Sequence, residues 1–203
     1  MESLEPKASI PALRQIKVAG RLDAMTMSDR TFILFTAEKQ CFIKGIAKLI
    51  EQKTLSMLLD TNIILQLIRN NNLVSQQLES DYKLVSNPNG NLISYVTVDE
   101  IYALSLKFCW GKQKIAKMNA LLEELIIIDI GGPDIADNYA QIDYFSEKFK
   151  KTARPMGQND IWIAATATAL GAKLMTTDAD FDHLHPKYIQ RIKIDANTGE
   201  TIA

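Results

Sequence analysis

Cysteine and histidine are both scarce in this sequence. The 203 residues hold two cysteines, Cys41 and Cys109, in no CxxC pair. They cannot build a disulfide scaffold, and both are expected to be reduced and mostly buried. The two histidines, His183 and His185, sit two residues apart in an expected loop with no companion cysteine. That reads as surface or packing rather than as a zinc site. No run comes near the roughly eighteen apolar residues of a membrane span, and the first residues lack the apolar stretch of a secretion signal. A cytoplasmic location with no membrane attachment is the expectation. Repeats and low-complexity tracts are missing too, which removes solenoids and disordered linkers.

A basic excess is also missing. The net charge is −1, so bulk charge gives no argument for nucleic-acid binding. The balance is uneven along the chain, however. Residues 1–56 hold nine Lys+Arg against six Asp+Glu, a net of +3, and residues 57–203 hold fourteen against eighteen, a net of −4. What is present in quantity is apolar: 47% of residues are hydrophobic and 23% charged, as expected for a globular chain with one sizeable core.

Short apolar runs alternate with longer helical patterns, the signature of βα units and a mainly parallel sheet. The strand runs are TFILF (31–35), MLL (57–59), LISYVT (92–97), LIIID (125–129), KLMTT (173–177) and IQRIKI (189–194). Apolar residues at three- and four-residue spacing predict helices over 38–53, 62–72, 98–109, 112–124, 134–151 and 160–170. Asn87-Pro88-Asn89-Gly90 reads as a turn and Gly171 as a helix C-cap. Residues 1–56 are expected to form an accessory extension, with room for a strand and a helix from residue 31, ahead of an α/β domain over 57–203.

Four acids recur at one kind of place. Asp60 follows MLL, Glu100 lies three residues past LISYVT, Asp178 follows KLMTT, and Asp160 opens the helix IWIAATATAL. In a parallel sheet, the carboxyl ends of the strands are where ligands bind, so these distant acids are expected to converge. Converging carboxylates repel one another, and in a partly desolvated cleft one must take a proton unless a cation neutralises the set. Ligands that are all oxygen favour Mg²⁺ or Mn²⁺, ions that keep waters and complete their shells with phosphate oxygens. Phosphodiester chemistry is the natural use.

Each acid also has a plainer reading. Asp60 and Asp160 can cap helices, Glu100 can favour a helix dipole and Asp178 can start a turn. Asp99, Asp180 and Asp182 are neighbours able to replace one of the four. Basic residues able to guide phosphates lie in SEKFKKTAR (Lys148, Lys150, Lys151, Arg154) and at Lys107, Lys112, Lys114 and Lys117. Solvated helix faces are the alternative for both runs. Trp110 and Trp162 read as core or interface anchors, and Ala164, Ala165, Ala167 and Ala169 as a small-residue face for close packing.

Three blocks, MLLDTNIIL (57–65), VTVDEIYAL (96–104) and QNDIWIAATATALGAKLMTTDADFDHL (158–184), resemble in order and spacing the successive motifs of PIN-domain ribonucleases of the VapC toxin type. The last block is the specific part. The resemblance implies a three-layer α/β/α fold and metal-dependent endoribonuclease activity. It makes Asp60, Glu100, Asp160 and Asp178 the catalytic and Mg²⁺- or Mn²⁺-binding set, with Asp182 a further acid of variable role. It also implies a cognate antitoxin and a homodimer. Within such a site Thr61, Asn62 and Thr177 would add hydroxyl or amide contacts.

Two other classes compete. One is a non-catalytic nucleic-acid or protein-binding module on the same fold. The other is a phosphate-accepting receiver domain or aspartyl phosphatase. The phosphatase needs a second Asp two residues after the first, where this chain has Asn62, and the receiver needs a late-strand lysine where it has Thr176-Thr177-Asp178.

Overall fold

The computed structural model describes residues 57–69, 72–86, 91–149 and 156–202. The expected extension over 1–56, with the strand and helix expected in it, and the turn expected at Asn87–Gly90 fall outside the described residues. In chain order the elements are β1 (Met57–Leu59), α1 (Thr61–Arg69), α2 (Asn72–Tyr82), β2 (Asn91–Ser94), α3 (Tyr95–Lys107), α4 (Lys112–Glu124), β3 (Ile126–Ile128), α5 (Pro133–Phe149), α6 (Gln158–Leu170), β4 (Lys173–Thr176), a 3-10 turn (Ala179–Leu184), β5 (Gln190–Ile194) and β6 (Thr201–Ile202).

The sheet order is β3-β2-β1-β4-β5-β6. The first five strands are parallel, and β6 runs antiparallel to β5. Because the chain moves outward from β1 to β3 and then returns to β4 on the other side of β1, strand order reverses between β1 and β4. Such a reversal opens a crevice at the carboxyl ends of those two strands.

Alternation along the short strands sends residues to both faces. Leu58, Leu92 and Leu174, aligned in register, join one core cluster with Ile135 and Ile142 of α5 and with Ile161 and Ala164 of α6. Leu59, Ile93 and Met175 are buried as well, and α1 packs across β4 and against α3 and α4. Helices cover both faces, which makes the three-layer α/β/α arrangement that the resemblance implies. Ala164, Ala165 and Ala167 are buried in α6, whose small side chains let it lie close on β2 and β4. Gly171 ends α6 with φ +65°, the left-handed cap foreseen for it.

Four expectations need correction. The run LISYVT does not stay extended: β2 stops at Ser94, paired with Ile128 at the end of β3, and α3 begins at Tyr95. A longer strand would outrun its partners, whereas a helix buries Val96, Thr97, Val98 and Ile101. Tertiary burial here overrides the β preference of Tyr-Val-Thr. Helix α2 and strand β6 were not expected, for α2 is polar and weakly patterned and β6 is two exposed residues long. Cys109 is exposed, not buried. Trp162 packs on the core with Tyr139, their ring centroids 4.2 Å apart, in the anchoring role expected of it.

Candidate active site

Asp60 immediately follows β1 and is only 2% exposed. Its backbone N–H continues the ladder to the Met175 carbonyl at 3.0 Å, fixing it at the point where strand order reverses. Its Oδ1 accepts the Thr61 N–H at 2.7 Å. Its Oδ2 accepts from the Thr176 hydroxyl at 2.7 Å and from the Asn62 amide at 3.3 Å. The Asn62 position that a phosphatase would give to an acid therefore holds a donor aimed at Asp60.

These contacts extend into a string that visits two of the other acids, Asp178 and Glu100. The Thr176 hydroxyl, at the end of β4, also accepts the Asp178 N–H at 2.9 Å, and Asp178 caps the 3-10 turn by accepting from the Asp180 N–H at 2.8 Å. In the other direction the Thr61 hydroxyl donates to Glu100 Oε2, with the Thr97 hydroxyl 3.5 Å away. Thr97 and Glu100 share one face of α3 because they are three residues apart. Glu100 thus stands on a helix, where its backbone is fixed, and not in a loop. Its Oε1 accepts from the Asn159 amide at 2.7 Å.

Asn159 belongs to the first turn of α6, one residue before Asp160. The Asp160 carboxyl folds back over the start of its helix: a Cβ placed on Gly157 would stand 2.8 Å from Asp160 Oδ2. Gly157 has φ −63°, an ordinary value, so a glycine is required there for space and not for conformation.

The electrostatics follow from this crowding. Burial, with smaller contributions from Glu100 and Asp178, pushes the Asp60 carboxyl up to about 6, although the Thr176 and Thr61 hydrogen bonds pull the other way. Burial again leads for Asp160, pushed up to about 7, with Asp60, Asp178, Glu100 and Asp180 all adding repulsion. Glu100 and Asp178 therefore act on both Asp60 and Asp160, and Asp60 acts on Asp160. Among the described residues no lysine or arginine pairs with any of them; the described ion pairs join Asp182 to Arg191 and Lys193. Nor do any three His, Cys, Asp or Glu side chains among those residues already form a tight metal-gripping group. A hard ion that retains waters suits such a set, because water bridges reach carboxylates that a bare ion would not.

The remaining expected residues separate cleanly. Thr61 and Asn62 make the contacts foreseen for them. The hydroxyl that reaches Asp60 from β4 is that of Thr176, one residue before the expected Thr177. Asp182 is exposed and faces β5, and Asp99 is exposed; neither is among the charges that raise Asp60 or Asp160. Asp180 does act on Asp160. Lys148 is exposed, its Nζ 4.2 Å from the Tyr144 ring centroid, while Lys150, Lys151 and Arg154 lie outside the described residues. His183 meets the Ser146 hydroxyl at 2.8 Å and His185 lies 3.2 Å from the Ile189 carbonyl, both in packing roles. Sequence reasoning missed Thr176, Asn159 and Gly157. A signal for Thr176 was present, since in KLMTT the alternation that buries Leu174 also turns Thr176 inward.

Residues 57–185 match the model of the PIN domain family. Ribonuclease VapC1 of Haemophilus influenzae strain R2866 is 32% identical over 123 residues, which cover 59% of this chain and 84% of that protein. Among solved structures, the DNA-bound VapBC of Salmonella typhimurium aligns with a TM-score of 0.57 at 22% identity, covering 68% of this chain and 98% of that one. VapBC-1 from nontypeable Haemophilus influenzae aligns with a TM-score of 0.50 at 26% identity, with the same two coverages. No described helix is long and apolar enough to cross a membrane. The matched span runs from β1 through the turn after β4 and takes in every acid of the hydrogen-bonded string: this chain belongs to the PIN domain family.

Proposed function

We propose that the chain is an endoribonuclease that hydrolyses phosphodiester bonds in RNA with Mg²⁺ or Mn²⁺, and that it is the toxin of a type II toxin–antitoxin pair, restrained by a cognate antitoxin. The observation that carries this reading is the string Asp178–Thr176–Asp60–Thr61–Glu100–Asn159, which gathers carboxylates beside the ends of β1 and β4 with no cation supplied by the described residues. Similarity to a protein named ribonuclease VapC1 and to solved VapBC complexes supports the substrate class and the partner. The homodimer and the cytoplasmic setting belong to the same reading.

Asp60, Glu100 and Asp160 would hold the ion directly or through its waters, and Asp178 would hold a second ion or orient the attacking water. When bound, the ion supplies a lowered water pKa and relief of charge on phosphorus and the leaving oxygen. The chain's own task is positioning. Thr176 and the Thr61 N–H fix both oxygens of Asp60, and Thr61 and Asn159 fix both oxygens of Glu100. Each carboxylate is thereby held before substrate arrives.

The test is cleavage of a labelled single-stranded RNA with Mn²⁺ and with EDTA. Cleavage is expected only with the ion, and Asp60→Asn is expected to lose at least about 100-fold of it. Cleavage that persists in EDTA, or at the wild-type rate in Asp60→Asn, would overturn the assignment. The binding-only module predicts a protein that Mn²⁺ does not stabilise, so a thermal shift with Mn²⁺ separates the two readings.

A further inference from the structure

An acidic crevice repels the polyanion it is proposed to cut, so substrate must be held by something else on the molecule. The second unusual cluster lies at the turn between α3 and α4. Lys107 closes α3, Arg69 closes α1, and Lys112, Lys114 and Lys117 occupy the first half of α4. Among the described residues none of these five cations forms an ion pair, whereas Arg191 and Lys193 both do.

Their placement is unfavourable for the fold alone. Helix α4 has no acid in its first turn, and its N-cap, Gly111, makes no side-chain capping bond. Lysines crowd the positive end of the helix dipole, where anions are favoured and cations are not. Arg69 stands close enough to Lys114 to add repulsion to the effect of the lysine's burial.

Aromatic faces are interleaved with the cations. Lys114 Nζ lies 3.6 Å from the Trp110 ring centroid and Lys107 Nζ 5.7 Å from that of Phe108. Phe108 is 62% exposed and Leu106 74%. The turn that presents Phe108 is held in a costly shape: Cys109 has φ +46°, a left-handed value suited to glycine. Backbone bonds from Phe108, Cys109 and Trp110 to the carbonyls of Leu104, Leu106 and Ser105 keep it there.

The cluster shares two helices with the acids. Helix α1 starts beside Asp60 and ends at Arg69, and Glu100, the sixth of the thirteen residues of α3, precedes Lys107 at the end of that helix. Seven to nine helical residues separate each acid from its cation, or roughly 10–13 Å. Helix α1 packs against both α3 and α4.

We infer that the α3–α4 turn, with the end of α1, is a binding surface for the phosphates and bases of single-stranded RNA, set a helix length away from the acids. Cations without ion-pair partners beside an exposed ring, here Phe108, are the elements with which proteins hold single strands, the cations tracking the backbone and the ring stacking a base. An acidic protein segment would use the cations and leave the exposed Phe108 face without a matching role. The inference rests on the ribonuclease reading for its ligand class, but binding is measured without turnover.

The experiment uses the full chain in EDTA, with a short fluorescein-labelled single-stranded RNA and anisotropy over about 50–200 mM salt. The variant Lys112→Ala/Lys114→Ala/Lys117→Ala is expected to flatten the slope of log K against log salt by about 2, and the milder Lys112→Ala/Lys117→Ala, which leaves Lys114 on Trp110, by about 1. Phe108→Ala is expected to weaken binding about tenfold at an unchanged slope. Wild-type affinity and slope in all three variants overturn the surface, and loss of poly-L-glutamate binding without loss of RNA binding reassigns it to an acidic partner. Mn²⁺-dependent cleavage of the same RNA is followed separately. Cleavage that fails while the slopes change as stated removes the ribonuclease reading and keeps the surface, and the converse removes the surface alone.

Discussion

The enclosed acids Asp60 and Asp160 and the surface acid Asp182 are treated oppositely by the chain. Asp182 is exposed and carries ion pairs to Arg191 and to Lys193, the latter with Nζ 2.6 Å from Oδ2. Both cations stand on β5, two residues apart and so on one side of the strand. Asp60 and Asp160 are more enclosed, repel one another and have no cation among the described residues. A sequence that can place two cations on one surface acid could place one near a buried pair. Leaving the enclosed acids uncompensated sacrifices stability, and the sacrifice makes sense if a cation arrives from outside.

The comparison can be broken by removing one charge from the uncompensated group. Asp60→Asn keeps the shape of the side chain: its amide oxygen can still accept the Thr61 N–H, and the Thr176 hydroxyl can rotate to accept from the new amide. RNA cleavage at saturating Mn²⁺ is expected to fall about 100- to 1000-fold, the usual loss on removing one electrostatic contact to a reacting centre. Stability should move the other way. The Asp60 carboxyl has a folded pKa of about 6 against an ordinary 3.8. The folded state therefore keeps a proton that the unfolded chain has released, and stability falls as pH rises through that window. Asparagine has no such loss. The metal-free variant should melt about 6–12 °C above wild type at pH 8, with the gap closing near pH 4. A variant that melts lower at pH 8 would mean that Asp60 is stabilising, like Asp182.

The same titration governs the ion. Below about 6 to 7 the ion must displace protons from Asp60 and Asp160, and above that range the carboxylates are free to bind. The rise in melting temperature caused by a fixed Mn²⁺ concentration should be small at pH 5, grow through pH 6 and 7, and level off by pH 8. A shift independent of pH would show that the ion binds elsewhere.

A smaller effect is expected where the geometry, not the charge, is altered. Gly157→Ala puts a methyl group 2.8 Å from Asp160 Oδ2, so the carboxylate must swing away while the backbone, at φ −63°, accepts alanine without strain. Mn²⁺ affinity, read by thermal shift, should drop about tenfold, and so should cleavage. The metal-free melting temperature should hold or rise slightly, because alanine restricts the unfolded chain. Asn159→Ala, which leaves Glu100 Oε1 without its donor, should behave alike. Unchanged Mn²⁺ affinity in both variants would mean that the exact placement of these carboxylates is unimportant.

How far this was legible in the sequence differs between the acids and their supports. The parallel sheet, the alternation of its five parallel strands with helices and the expectation that Asp60, Glu100, Asp160 and Asp178 converge all follow from alternation of short apolar runs with helical periods, because topology alone brings strand ends together. The residues that hold the acids in place were harder to see. Thr176 and Thr177 are neighbours of one type, and only the strand's pleat decides which hydroxyl faces Asp60. Asn159 reaches Glu100 across 59 positions, a contact that no local pattern carries. The end of β2 was misplaced for a related reason. Tyr95, Val96 and Thr97 favour a strand locally, but the partner strands have already ended. Helix α2 has no strong period to announce it.

The mildest test of the comparison applies to the compensated acid the same chemical change that was applied to Asp60. Asp182→Asn removes one negative charge from a pair of cations at a site whose side chain is 45% exposed. Exposed ion pairs contribute little, so the loss should be about 1 kcal/mol or less, lowering the melting temperature by about 2–4 °C. The difference from wild type should shrink in high salt, which screens the pair. RNA cleavage should stay within about twofold of wild type, the size of effect expected when a salt bridge outside the reacting centre is lost. The same isosteric substitution is thus predicted to stabilise the metal-free protein at Asp60 and to destabilise it at Asp182. Should Asp182→Asn also abolish cleavage, Asp182 would have to be moved into the metal-binding group, and its ion pairs with β5 would have to open when the ion binds.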